Sequence, residues 1–228
     1  MIPIHDNIRS RRFPIVNTIL IIINVVVFFI EASLKTGQLE YLIQNYGLSS
    51  SGFFSGGLIR WLTVFTSMFL HGSWLHVLSN MLALYIFGDN VEDRLGHGRY
   101  LAFYLLGGVI AGLTQIIAYP NSQLPTVGAS GAIAAVLGGY LILYPRAKVR
   151  TLVPLFFVWV VQIPAVVYLV LWFVSQLFNG TLALQSETFQ GGGVAWWAHI
   201  GGFLSGMILV KILDLRRNTQ LFPDEYIP

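Results

Sequence analysis

The stretch TVGASGAIAAV, residues 126–136, sets a serine between two glycines just where an apolar helix begins. The apolar run that follows is bounded by Pro125 and Pro145. From Gly128 to Tyr144 a helix would rise only about 26 Å at 1.5 Å per residue. The hydrocarbon core of a bilayer is roughly 30 Å thick, so one end of such a helix must be submerged. A serine at that end is either a small residue that lets two helices touch or a nucleophile within reach of a base.

The rest of the chain supports a bilayer setting. Of 228 residues, 55% are hydrophobic and 10% charged, with a mean hydropathy of +0.70. A soluble domain carries about a quarter charged residues. The composition therefore predicts an all-α, polytopic membrane protein with one domain. Six apolar segments are long enough, or nearly so, at roughly 14–33, 61–88, 99–119, 128–145, 152–178 and 195–214. The second is interrupted at His71, Gly72 and Ser73, so its membrane helix is expected to start near Trp74, with 61–72 in the preceding loop or the interface. The division is a segment 1–13, a six-span domain 14–214 and a tail 215–228. The first apolar run follows RSRRFP and has no small-residue cleavage site, so it reads as a retained span.

Charge assigns the sides. Six spans put the N-terminus, the 89–98 and 146–151 loops and the C-terminus together. Eleven of the 13 Lys and Arg residues fall there, against Lys35 and Arg60 opposite. That split predicts both termini in the cytoplasm of a multi-pass cell-membrane protein. It also accounts for the sequence pI of 9.3 without a nucleic-acid partner. The chain has no cysteine, which excludes disulfides and thiol nucleophiles.

The groups able to do chemistry gather at one side. His71, His76 and His199 lie at the outer ends of expected spans, as does Ser130. His76 and Asn80 are four apart and share a helix face. His199, Gly202 and Gly206 also share one, and Gly202-xxx-Gly206 is the small-residue signature of close helix contact. Ser130, Ala134 and Gly138 make a matching stripe. If the stripes face each other, the histidine above the glycines meets the serine above Ala134. Imidazole would then take the hydroxyl proton, and the protonated ring would later give a proton to the leaving amine. His76, Asn80 and the unpaired N–H groups of the helix start would surround an oxyanion. No carboxylate lies on the outer helix ends beside His199, which favours a Ser–His dyad over a triad.

The motifs TSMFLHGSWLHVLSN, GDNVEDRLG, GASGAIAAVLGGY and AHIGGFLSG, in that order and spacing, resemble the rhomboid family of intramembrane serine proteases from about Arg60 to Gly206. The resemblance implies that Ser130 is the nucleophile and His199 the general base. His76 and Asn80 would stabilise the oxyanion with the Ser130 N–H. His71, Gly128, Gly131, Gly202 and Gly206 would support the site, and Glu92 and Arg94 would be structural at the cytoplasmic end. It implies peptide-bond hydrolysis in transmembrane protein substrates, without cofactor or metal, with the fifth span and the TFQGGGV loop (188–194) gating lateral entry from the lipid bilayer. One departure stands out. Many relatives carry an aromatic residue one turn below the serine, stacked on the histidine, where this chain has Ala134. Something else must orient His199, and the glycine contact is the available candidate. No large extra domain flanks the core, so regulation by one is not expected.

Three other readings compete. A non-proteolytic relative that binds transmembrane clients would be expected to have lost the serine or the histidine, and both are present. A transporter using histidines as a proton path would need carboxylates facing a pore, and Glu31 and Asp214 are near span ends. A metal held by His71, His76 and His199 is allowed by ligand type but leaves GASG unexplained.

Overall fold

The computed structural model describes every residue except 52, 55, 156, 186–192 and 216–228. The chain runs β1 (Ile2–Asp6), α1 (Ile15–Ser33), α2 (Thr36–Tyr46), α3 (Gly57–Thr66), a 3₁₀ turn at Ser67–Phe69, α4 (Trp74–Leu95), α5 (His97–Ala118) and α6 (Ser130–Leu143). It continues as β2 (Lys148–Leu155), β3 (Phe157–Pro164), α7 (Ala165–Gln185) and α8 (Trp196–Leu213). Helices dominate. Four of them, α1, α5, α7 and α8, are long and apolar enough to cross a membrane. α4 is as long as α5 but carries Asp89, Glu92, Asp93 and Arg94 in its last two turns, and α6 has only 14 residues. The apolar side chains that α1 and α7 leave exposed, among them Ile22, Val26, Phe29, Val170, Leu171 and Val174, form surfaces suited to lipid. The chain is a membrane protein in contact with the bilayer.

The all-α expectation needs correcting. β1, β2 and β3 form a three-stranded antiparallel sheet in that order, with Ile2 opposite Leu152 and Val149 opposite Ile163. The fifth apolar run, expected as a helix over 152–178, is strand up to Pro164 and helix only from Ala165. Its first half is rich in valine and contains Pro154, a composition that favours strand over helix. The helix of the second run begins at Trp74, after a 3₁₀ turn, as the interruption at His71–Ser73 predicts. The segment 34–60, expected as interfacial structure, contains α2 and the start of α3. Residues 188–192 of TFQGGGV and 216–228 of the expected tail lie outside the described residues, so Arg216 and Arg217 do too.

α6 sits at the centre, with eleven of its 14 residues buried. It is clasped by α8 on one side, with α5 and α4 on others. Small residues make the α6–α8 approach possible. A Cβ on Gly202 would lie 2.2 Å from the Gly131 carbonyl oxygen, one on Gly206 2.0 Å from that of Ala135, and one on Gly138 2.0 Å from that of Phe203. Each distance is far inside contact, so backbone meets backbone along the whole seam. The two stripes face each other, with Gly206 seated on Ala135 rather than on the Ala134 side.

Polar contacts tie the helix ends together. Glu92 of α4 accepts the N–H groups of Val16 (2.9 Å) and Asn17 (2.7 Å), which caps the start of α1 with a carboxylate. Arg94 pairs with Asp214 at the end of α8 (3.0 Å). At the other end of α1, buried Glu31 accepts the N–H of His71 through both oxygens, at 3.2 and 3.1 Å. Asp6 of β1 accepts from Asn90 (2.9 Å) and from the Tyr140 hydroxyl, which fixes the N-terminal strand to α4 and α6.

Candidate active site

Ser130 is the first helical residue of α6. The chain reaches it through Gly128, whose φ of +129° is poorly open to other residues and whose N–H donates to the Ser67 carbonyl (2.8 Å). A Cβ there would fall 2.6 Å from His76 Cε1 and 2.7 Å from its Nε2. The glycine is therefore what lets the His76 ring lie against the serine turn. Gly131 plays the matching part on the far side, where a Cβ would meet that of Ala111 on α5 at 2.8 Å.

His199 lies on the first turn of α8 and is almost wholly buried. Its Nε2 is 2.8 Å from Ser130 Oγ, so two side chains 69 residues apart in sequence share one hydrogen bond. Helix α8 starts with its own donors partly satisfied: Gln115 of α5 accepts the Ala198 N–H at 3.2 Å. On α4, Ser73 accepts the His76 N–H (3.2 Å) and caps the helix. Asn80, one turn on, donates through Nδ2 to His71 Nε2 at 3.0 Å. An amide nitrogen can only donate, so His71 Nε2 accepts and its proton sits on Nδ1. The His71 and His76 rings are 5.0 Å apart in an edge arrangement. The structure thus brings Ser130, His199, His76, Asn80 and His71 to one end of the helix bundle.

The orientation of His199 is where expectation and structure part. The glycine seam sets the distance between α6 and α8, but the ring itself is held from α7. Its Nδ1 is 2.8 Å from Gln176 Oε1, and Trp172 lies over it with ring centroids 5.8 Å apart and planes at 34°. Trp196 meets it edge-on, with ring centroids 6.2 Å apart. An aromatic ring from α7 thus makes the contact with His199 that Ala134, on the serine helix, cannot make. Gln176 was missed because a lone glutamine in an apolar run carries no spacing signal. The missing aromatic at 134 was the one available hint that a substitute had to come from elsewhere.

These groups open on a groove of about 1430 Å³. Its walls are α4 (Asn80, Ala83) and α7 (Tyr168, Trp172), and its floor is α6 (Ile133, Leu137). A polar end with a hydroxyl, imidazoles and an amide thus adjoins a long apolar trough. Among the described residues no three His, Asp or Glu side chains converge as metal ligands would.

The comparisons with known proteins agree on one family. The family model for the Rhomboid domain matches residues 58–216. RHOMBOID-like protein 5 of Arabidopsis thaliana is 29% identical over 74% of this chain and 49% of its own length. Rhomboid protein 1, mitochondrial, of Saccharomyces cerevisiae is 29% identical over 70% of this chain and 45% of its own. Rhomboid protease GluP of Bacillus subtilis is 32% identical over 50% of this chain and 21% of its own. The chain spans about half the length of the first two of these relatives.

Proposed function

The chain belongs to the rhomboid family, and from that premise we propose that it is an intramembrane serine endopeptidase acting on transmembrane protein substrates. In this reading Ser130 Oγ gives its proton to His199 Nε2 and attacks the scissile carbonyl carbon. The tetrahedral oxyanion is met by His76, by Asn80 and by the N–H of Ser130, a free donor at a helix start. His199 then returns the proton to the amine as the C–N bond breaks. Water, activated by the same imidazole, hydrolyses the acyl-serine and restores the hydroxyl. The observation that carries the proposal is the 2.8 Å contact between Ser130 and His199 at the polar end of an apolar groove. A hydroxyl bonded to a neutral imidazole, in a trough wide enough for an apolar segment, suits acyl transfer on a membrane-embedded chain.

The proposal includes a topology of six spans, α1, α4, α5, α6, α7 and α8, with both termini cytoplasmic in the cell membrane. Substrates would enter laterally past α7. The test is cleavage of tagged single-span proteins by the detergent-solubilised chain, with fluorophosphonate labelling alongside. Ser130→Ala should lose both, and His199→Ala should lose cleavage while still inserting. Cleavage near the wild-type rate in either variant would end the serine–histidine reading. Inhibition by EDTA that added zinc reverses would turn attention to a metal.

A further inference from the structure

The groups around His199 define more than its distance from the serine. The Gln176 amide is oriented on its donor side: Nε2 lies 3.2 Å from the Trp172 carbonyl oxygen and 2.9 Å from Ser175 Oγ. A carbonyl oxygen can only accept, so Nε2 must face it and Oε1 must face the histidine. Oε1 can only accept in turn, so His199 Nδ1 carries the proton and Nε2 is left bare. A bare Nε2 is the state a base needs 2.8 Å from a hydroxyl. The partner is itself about 95% buried, with a relative exposure of 5%, so water competes poorly for the same nitrogen.

We propose that Gln176 is the positioning residue of the site, fixing the tautomer of His199 from α7, in the place a carboxylate holds in a serine triad. The inference rests on the serine-protease reading for its consequence, but the contact can be tested without it. The hydroxyl comes from α6, the imidazole from α8 and the acceptor from α7. The base is therefore set only while α7 lies against α8, where Phe173 stacks on Phe203 at 4.7 Å. Being neutral, the glutamine orients the ring without the extra stabilisation of an imidazolium that a carboxylate gives. Trp172 adds a ring face that keeps the imidazole from turning away.

The experiment compares Gln176→Leu with Gln176→Glu in the full-length chain. Leucine fills a similar volume but offers Nδ1 no acceptor, whereas glutamate still presents an oxygen. In a serine triad the wrong tautomer lowers kcat by about 10⁴-fold, so Gln176→Leu should lose roughly 10- to 10⁴-fold in kcat with little change in KM. Gln176→Glu should recover most of that loss. ¹⁵N spectra of histidine-labelled protein, with the His199 signals identified by difference from a His199→Gln sample, should show Nδ1–H in the wild type and in Gln176→Glu. Gln176→Leu should show a mixture of tautomers. An unchanged His199 tautomer in a folded Gln176→Leu sample overturns the proposal, as does an unchanged kcat. If the wild type neither cleaves nor labels at Ser130, the protease reading fails, and the ¹⁵N comparison still decides whether Gln176 sets the ring.

Discussion

His76 and Asn80 stand on one face of α4, yet they meet the site differently. The His76 ring packs on Gly128, while Asn80 is buried and already gives one amide hydrogen to His71. An oxyanion would draw on the second. Because such donors act mainly in the transition state, His76→Ala and Asn80→Ala should lower kcat more than they raise KM. Loss of one donor costs on the order of 10²–10³ in rate where nothing compensates, and less where three donors share the charge. A pure KM effect would make these residues substrate contacts. At the opposite end of α4, Asp6 invites a pH measurement. Burial pushes its carboxyl from 3.8 up to about 6, partly offset by the Tyr140 hydroxyl. The fold therefore prefers the neutral acid. This contribution is fully present below about pH 4 and is lost as pH rises through about 6. A shift of this size corresponds to about 3 kcal/mol at most. Asp6→Asn should raise the melting temperature at pH 7.5 and flatten its fall between about pH 4 and 6. A variant with the wild-type slope would mean that Asp6 ionises no differently when folded. Ser130, His199, His76 and Asn80 were legible because spacing on single helices places each of them at a helix end. Gln176 was not, because its partner lies 23 residues away across a helix–helix contact that no periodicity encodes.

At the scale of elements, the seam between α6 and α8 decides whether the serine and the histidine meet. Gly202 is seated on the Gly131 carbonyl, one residue beyond Ser130, and its Cβ would also come within 3.2 Å of Ala134 Cβ. Valine at 202 would push against backbone, which cannot swing aside. Overpacking of this kind typically costs about 1–3 kcal/mol, and misplacement of reacting groups by an ångström can cost roughly 10²-fold in rate. Gly202→Val should therefore lose cleavage well before it unfolds, and Ala134→Val should act similarly from the other helix. Leu209→Val, off the glycine stripe, should be nearly silent. Cleavage and thermal stability measured together on the three variants decide it; normal cleavage by Gly202→Val would sink the packing account. This seam was readable because small residues four apart have few uses other than close approach. The sheet was not. From Val149 to Ile163 the chain is apolar almost throughout, and an apolar run taken alone reads equally as strand or helix. What distinguishes them is the valine content, the prolines at 154 and 164, and a partner, β1, that lies more than 140 residues upstream.

For the whole molecule the open quantity is how many times the chain crosses the bilayer, and the ties between helix ends bear on it. Glu92, near the end of α4, caps the start of α1, while His71, just before α4, hangs on Glu31 near the end of α1. The two helices therefore run antiparallel over their full length, and if α1 crosses, α4 crosses with it. β1 precedes α1 and β2 follows α6, yet the two are paired in one sheet. The helices between them must make an even number of crossings. With α1, α4 and α5 crossing, α6 has to cross as well, although its 14 residues rise only about 21 Å. Under that topology such a short crossing would leave Ser130 below the level of its neighbours' ends, within reach of a membrane-embedded peptide bond. The chain has no native cysteine, so single introduced thiols report sides without background. Gly98→Cys and Asn121→Cys are the informative pair: Gly98 lies exposed in the first turn of α5, beside the junction with α4, with open space around its Cβ, and Asn121 lies exposed between α5 and α6. With six spans and cytoplasmic termini, a membrane-impermeant maleimide should label Asn121→Cys in intact cells and Gly98→Cys only after permeabilisation. If only α1 and α5 crossed before the sheet, the two results would be exchanged, because residue 98 would face outward and residue 121 inward. That exchange would remove α4 and α6 from the bilayer and the six-span topology with them.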